Sequence, residues 1–297
     1  MSGWFHPRGA LARDGWTAVV DEAITGWRHT GVRIGDLARG ARALPPGQRE
    51  RIIIPLEGDA TVEWNGPTGA GRWDLAGRPS VFHGTADAAS FGPGTEVRLS
   101  GTGRVAVAEA AATTVREPAV LRAAETPVEL RGAGRSTRQV HNFGVPGVLP
   151  AERLIVCEVV TPAGNWSSYP PHKHDEAGPT ESRLEEIYYF EVEVERGRTA
   201  PGSDPFGLFA AYSSPAGDID LANMVRSGDV ALVPHGYHGP AAAAPGYDLY
   251  YLNVMAGPDL ERAWRINDDP RHGWVRDGWD AERPDPRLPY SRAEKKG

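Results

Sequence analysis

The sequence predicts an all-β fold of two successive barrels, and three observations carry that expectation. Short apolar segments with strand character follow one another through most of the 297 residues, glycine (36) and proline (26) punctuate them, and no long stretch sustains helical periodicity. Many short strands need many tight turns, and glycine and proline supply them by reaching positive φ and by fixing φ at about −65° respectively. The absence of long amphipathic helices argues against doubly wound and βα-barrel architectures.

In the first half, Arg51 to Leu56 reads as a strand, and Ala60 to Trp64 alternates with period two before the turn Asn65-Gly66-Pro67. Gly71 to Leu75, Ser80 to His83, Glu96 to Leu99 and Arg104 to Glu109 are the further strands expected there. From about Ala110 to Arg138 the chain turns alanine-rich and charged and is expected to be a connector. The second half resumes the same rhythm, with strands expected over 153–160, 186–194, 206–213, 219–226, 229–234 and 247–255. Leu260 to Arg265 has the composition of a short helical turn, and Ser291 to Gly297 is expected to be mobile. The resulting division is 1–125 and 126–297.

Composition limits the function. With 40% hydrophobic and 24% charged residues the chain has the balance of a folded globular protein. A net charge of −7 gives no footprint for nucleic acid or an anionic membrane, so a small molecule is the expected partner. No apolar run approaches the roughly 20 residues that span a bilayer, and the N-terminus has no secretion-signal pattern. The single cysteine, Cys157, excludes an intrachain disulfide, which makes the cytoplasm the expected compartment; the thiol sits in an apolar strand as a buried side chain.

The chemistry concentrates in the second half. In Pro170-Pro171-His172-Lys173-His174, residues i and i+2 of a strand face one side, so His172 and His174 can point together into a barrel while Lys173 points outward as a solvated or interface charge. A polar loop then returns the chain to Leu184-Glu185-Glu186-Ile187-Tyr188-Tyr189-Phe190. Glu186 shares a face with Tyr188 and Phe190, whereas Glu185 shares the opposite one. Gly228-Asp229 opens a further apolar strand, and Pro234-His235-Gly236-Tyr237-His238 bends so that a histidine is delivered to the barrel mouth, His238 being preferred to His235. Three imidazoles and one carboxylate, His172, His174, Glu186 and His238, suit one divalent Zn, Mn or Fe ion per chain and leave positions open for substrate oxygens.

His-x-His, then Glu, then Gly-x5-Pro-x-Gly and His is the cupin pattern, with a longer His-to-Glu loop and a final histidine one residue early. Pro-Pro-His-Lys-His-Asp, Leu-Glu-Glu-Ile-Tyr-Tyr, Val-Pro-x-Gly-Tyr-His and Tyr-Tyr-Leu-Asn-Val-Met-Ala-Gly closely resemble the 5-deoxy-glucuronate isomerase family of myo-inositol catabolism, over about Arg138 to Trp279. The resemblance implies a double cupin of two jelly-roll barrels, the first degenerate and the second holding the metal. The 5-keto-4-deoxyuronate ketol-isomerase is a more distant likeness. Its metal glutamate also precedes a Val/Ile-Tyr pair, which favours Glu186.

On that resemblance the expected activity is an aldose–ketose isomerisation of 5-deoxy-D-glucuronate to 5-dehydro-2-deoxy-D-gluconate, by a proton or a hydride shift. Glu158, Tyr188 and Tyr251 are the candidate proton-transfer residues; Glu158 in an otherwise apolar strand must have a partner or a role. Arg138 and Arg183 are the candidates for a substrate carboxylate. His83, without a His-x-His partner, reads as structural, and His141 and Asn142 as groups near the barrel entrance. A cupin dioxygenase and a non-enzymatic sugar-binding cupin use the same ligand pattern and remain alternatives, and exposed strand edges leave room for a homo-oligomer.

Overall fold

In the computed structural model, which describes residues 3–290, the uninterrupted apolar runs have a direct explanation: they are buried on both faces. Ile53 points into the core of the first half while its neighbours Ile52 and Ile54 point out of it, towards the second half. In the same way Tyr188 and Phe190 face the inside of the second half, and Ile187 and Tyr189 face the first. A strand buried on one side alternates instead: Ala60 and Val62 are buried and Glu63 is exposed. Each fully buried isoleucine contributes roughly 1.5–3 kcal/mol.

Four antiparallel sheets result. The first half holds six strands in the order Ala119–Leu121, Ala88–Phe91, Arg49–Pro55, Arg104–Ala111, Thr30–Asp36 and Ala18–Val20. Opposite lie four, in the order Arg42–Leu44, Glu96–Gly101, Gly58–Gly66 and Gly69–Arg78. The second half holds seven: Phe5–His6, Val230–Val233, Glu185–Val194, Tyr247–Ala256, Ile155–Thr161, Arg138–Asn142 and Val128–Arg131. Its facing sheet runs Gly217–Val225, Gly207–Ser214, Tyr237–Ala243, His172–Lys173 and Asn267–Asp268, with Trp166–Ser167 also paired to Tyr237–Ala243. Three apolar clusters follow: one inside each sheet pair and one between the six- and seven-stranded sheets, where Val32, Ile52, Ile54 and Ala106 meet Val156, Ile187, Leu252 and Val254.

Most expected strands are present with ends shifted by a residue or two. Three expectations are corrected. Ser80 to His83 is a turn closed by the His83 amide on Ser80 O and by Ser80 Oγ to His83 Nδ1 at 2.9 Å, so His83 is structural but not on a strand. The connector carries Ala119–Leu121 and Val128–Arg131, which are edge strands of two different sheets. Leu260 to Arg265 is irregular, and the longest helical segment is a 3-10 helix at Gly273–Ala281. The tail Ser291 to Gly297 lies outside the described residues.

Candidate metal centre

The two sheets of the second half bring the His/Glu set together from opposite sides. His172 is in register with His238 on the adjacent strand Tyr237–Ala243, and Glu186 projects from the start of Glu185–Val194 on the facing sheet. The His238 ring lies between the other two, with centroids 4.6 Å from His172 and 4.7 Å from His174. Glu186 Oε2 is 2.8 Å from His174 Nε2 and 3.0 Å from His238 Nε2. The donor atoms of His174, Glu186 and His238 lie within 4.8 Å of one another; His172 stands beside this trio rather than in it, and all four residues are buried.

The imidazole tautomers follow from the backbone. Nδ1 of His172, His174 and His238 lies 3.3, 3.2 and 3.1 Å from the carbonyl oxygens of Pro170, Leu184 and Gly236. A carbonyl only accepts, so each Nδ1 carries a proton, which leaves Nε2 as the atom that would face a cation; here His174 Nε2 also donates, to Glu186 Oε2 at 2.8 Å. Nε2 of His238 finds no hydrogen-bond partner among the described residues: its approach to Glu186 lacks the alignment of one. Burial alone would raise the Glu186 carboxyl, but His174 and His238 outweigh it and hold it well below the ordinary range. Burial and the two neighbouring imidazoles push His172 far down, and the Glu186 contact overcomes burial to raise His174. Imidazole nitrogens gathered beside an ionised carboxylate form a donor set that fits a divalent cation.

Two supports were missed in the sequence. Lys173, expected on the outside, is buried, and its Nζ donates to Asp175 at 2.8 Å, Glu176 at 2.6 Å and Glu181 at 2.9 Å. Asp175 in turn accepts from Ser214 Oγ at 2.5 Å and the Gly236 amide at 2.8 Å, which ties the His172–His174 segment to the bend before His238. Ser168, at φ 46°, sets its hydroxyl 3.2 Å from that of Tyr188 and 3.1 Å from that of Tyr251. Gly239 makes room for that segment, since a Cβ there would lie 1.7 Å from Ser168 O. Acidic residues at 175, 176 and 181 around one lysine were the available signal for the first support; nothing local signals the second.

The other candidates divide. Tyr188 adjoins the centre, its ring 6.1 Å from that of His238, and the Tyr251 ring lies 5.1 Å from that of Tyr188, tilted by 45°. Burial pushes the Tyr188 phenol well above its ordinary value and the Tyr251 phenol up to about 12. Arg138 is buried, bonded to Ser136 O, and burial lowers it to about 10. Arg183 is exposed and paired with Asp259 at 2.9 Å, which removes it from the site. Glu158 is also removed: it points into the seam between the halves, bound to Arg78 and His141. Glu185 faces that seam too and accepts the amides of Arg28 at 3.1 Å and His29 at 2.7 Å. His235 leaves the centre for Asp218 O.

Residues 4–275 match the KduI/IolB family. The chain is 37% identical over 281 residues to the 5-deoxy-glucuronate isomerase of Geobacillus kaustophilus, covering 93% of this chain and 96% of that one. Its structure superposes on an IolB-like protein from Salmonella typhimurium with a TM-score of 0.80 at 32% identity, covering 92% of this chain and 98% of the other. Bacillus subtilis oxalate decarboxylase shares the double-cupin fold, at TM-score 0.62 and 11% identity over 90% of this chain and 80% of that one.

Proposed function

Because the chain belongs to the KduI/IolB family, we propose that it is the aldose–ketose isomerase that converts 5-deoxy-D-glucuronate into 5-dehydro-2-deoxy-D-gluconate in myo-inositol degradation. The observation that carries the reading is the approach of His174 and His238 Nε2 to the Glu186 carboxylate, with His172 in register beside His238 and all three Nδ1 atoms set at backbone carbonyls. These four residues would hold one Zn, Mn or Fe ion. Such an ion supplies Lewis-acid stabilisation of the negative charge that develops on the carbonyl and hydroxyl oxygens.

The chain's own groups supply positioning and protons. Tyr188 and Tyr251 stay protonated at neutral pH because burial raises both, so they serve as hydrogen-bond and proton donors to sugar oxygens rather than as resting bases. Ser168 bridges their hydroxyls and lets one proton position communicate with the other. Arg138 remains charged at neutral pH and has no carboxylate partner among the described residues, which suits it to the substrate carboxylate. The division at 125/126 belongs to the same reading, supported by the change of sheet between Ala119–Leu121 and Val128–Arg131; the strand Phe5–His6 is lent across it. Among the described residues no helix is long and apolar enough to cross a membrane.

The test is metal analysis of purified protein joined to an NMR assay of 5-deoxy-D-glucuronate. Conversion to the ketose without oxygen uptake is expected, and loss of metal and turnover together in His172→Ala and His238→Ala. Failure to convert the sugar with metal bound overturns the substrate assignment, and oxygen consumption moves the site to the dioxygenase class.

A further inference from the structure

The inner face of the seven-stranded sheet carries a polar row beside the metal centre. Asn142 is in register with Cys157, Cys157 with Asn253, and Asn253 with Tyr188. Residues opposite one another in antiparallel strands project to the same face. Cys157 and Tyr188 lie in the cluster inside this half, so both asparagines point there as well. Glu186 stands one step along the same face from Tyr188, with Met255 opposite.

Both asparagines are buried, Asn142 at 7% and Asn253 at 3% exposure, yet Asn142 Oδ1 and Asn253 Nδ2 find no hydrogen-bond partner among the described residues. Their backbones are separated by two strand spacings, about 10 Å, which is too far for the two amides to satisfy each other. The intervening Cys157 thiol is a weak hydrogen-bonding group, and burial pushes it up to about 12, so it stays neutral. A further unpartnered buried polar atom, the donor Trp264 Nε1, belongs to a side chain packed against the same cluster. Buried polar atoms are normally paired because desolvating them unpaired is costly. An unpaired acceptor and donor on the sheet face that also carries Glu186 match a ligand that presents hydroxyl groups, each able both to donate and to accept.

We propose that Asn142 and Asn253 form a hydroxyl-recognition subsite, Asn142 Oδ1 accepting from and Asn253 Nδ2 donating to hydroxyl oxygens of an open-chain polyhydroxy acid. The subsite rests on the isomerase reading for the identity of that acid, and it makes both residues determinants of specificity. A site built to hydrogen-bond a hydroxyl discriminates strongly against an analogue without it, because the protein group is then left unpaired.

The test uses full-length, metal-loaded Asn142→Leu and Asn253→Leu, which keep volume and remove the amide. Metal content is expected to be unchanged, the melting temperature of the ligand-free protein unchanged or higher, and KM for 5-deoxy-D-glucuronate raised roughly tenfold or more. A KM within about threefold of wild type, or a lowered melting temperature that reveals an internal partner, overturns the subsite. Where a leucine variant does not fold, the alanine variant is judged by the same KM criterion. If the wild type does not turn over that sugar, the isomerase reading fails separately. The subsite is then judged by calorimetric binding of D-gluconate: binding to wild type that both variants lose supports it, and no binding to wild type, or equal binding to all three, overturns it.

Discussion

Glu158 meets Arg78 across the seam between the two halves through two parallel hydrogen bonds of 2.5 and 2.6 Å, and both side chains are fully buried. His141 Nδ1 and the Tyr250 hydroxyl complete the carboxylate's partners at 2.6 and 2.9 Å. Burial alone would raise Glu158, but the guanidinium beside it dominates and holds the carboxyl at about 2. Removing one partner leaves the other charge buried and unpaired. Arg78→Met is therefore expected to cost about 3–5 kcal/mol in denaturant unfolding, and adding Glu158→Leu to recover most of it. A double variant as unstable as Arg78→Met alone would show that the seam depends on something other than this pair. The sign with pH is also fixed: the folded value of about 2 lies below the ordinary 4.5. The pair's contribution is complete above about pH 4.5 and is lost as pH falls towards 2.

Glu185 and Glu186 are neighbours with opposite tasks. Glu186 faces the imidazoles, while Glu185 receives the amides of Arg28 and His29 from the first half. Glu186→Gln is expected to abolish bound metal with little loss of fold. Glu185→Ala is expected to keep metal and to lower stability by about 1–3 kcal/mol, the cost of leaving buried amides unsatisfied. Metal analysis and thermal melting of the two variants, measured side by side, decide the assignment; metal lost from Glu185→Ala and kept by Glu186→Gln would reverse it.

The contrast shows what the sequence could and could not carry. Strand alternation alone separates Glu186 from Glu185, and the His-x-His spacing places His172 and His174 on one face, because both are local consequences of backbone pleat. Glu158 could be recognised as needing a partner, but Arg78 is 80 residues away and no local pattern links them. Ser80 to His83 has strand composition, yet the Arg78 guanidinium takes Gly84 O at 2.6 Å and the segment curls around it. Lys173 obeys the alternation by pointing away from the histidines; what alternation cannot show is that the loop Asp175 to Glu181 folds back and buries it.

Glu193 gives a second pH dependence of the opposite sign. It stands directly across from Asp248 on the neighbouring strand, and burial, then the charges of Asp248 and Glu191, raise it to about 7. The folded state thus binds a proton that the unfolded chain releases near 4.5. Stability falls as pH rises from about 4.5 through 7, since the native state is the one holding the proton. Glu193→Gln keeps a neutral group of the same shape at all pH values. It is expected to raise the melting temperature at pH 8 and leave it nearly unchanged at pH 5. An equal shift at both would show that ionisation of Glu193 is not the cause.

Lys173 and Asp175 couple the two halves of the proposed ligand set. Asp175 holds the lysine with one oxygen and, with the other, the Ser214 hydroxyl and the amide of Gly236, two residues before His238. The lysine ammonium also neutralises Glu181, which accepts the Asp175 and Glu176 amides at 2.8 and 3.0 Å and so shapes the loop that leads to Glu186. Neither residue has to touch the metal to matter, because the angle between the His172–His174 segment and the His238 bend depends on this bridge. Outer partners of this kind typically change metal affinity by about 10–100-fold. Lys173→Met is expected to weaken metal retention in a chelator competition by about that factor and to lower the melting temperature, since it strands buried carboxylates. Asp175→Asn keeps the volume and one accepting oxygen, so it holds either the lysine or the Gly236 amide but not both, and a smaller loss of metal affinity is expected than for Lys173→Met. Lys173→Met with wild-type metal affinity would show that the imidazoles are placed by their own strands alone.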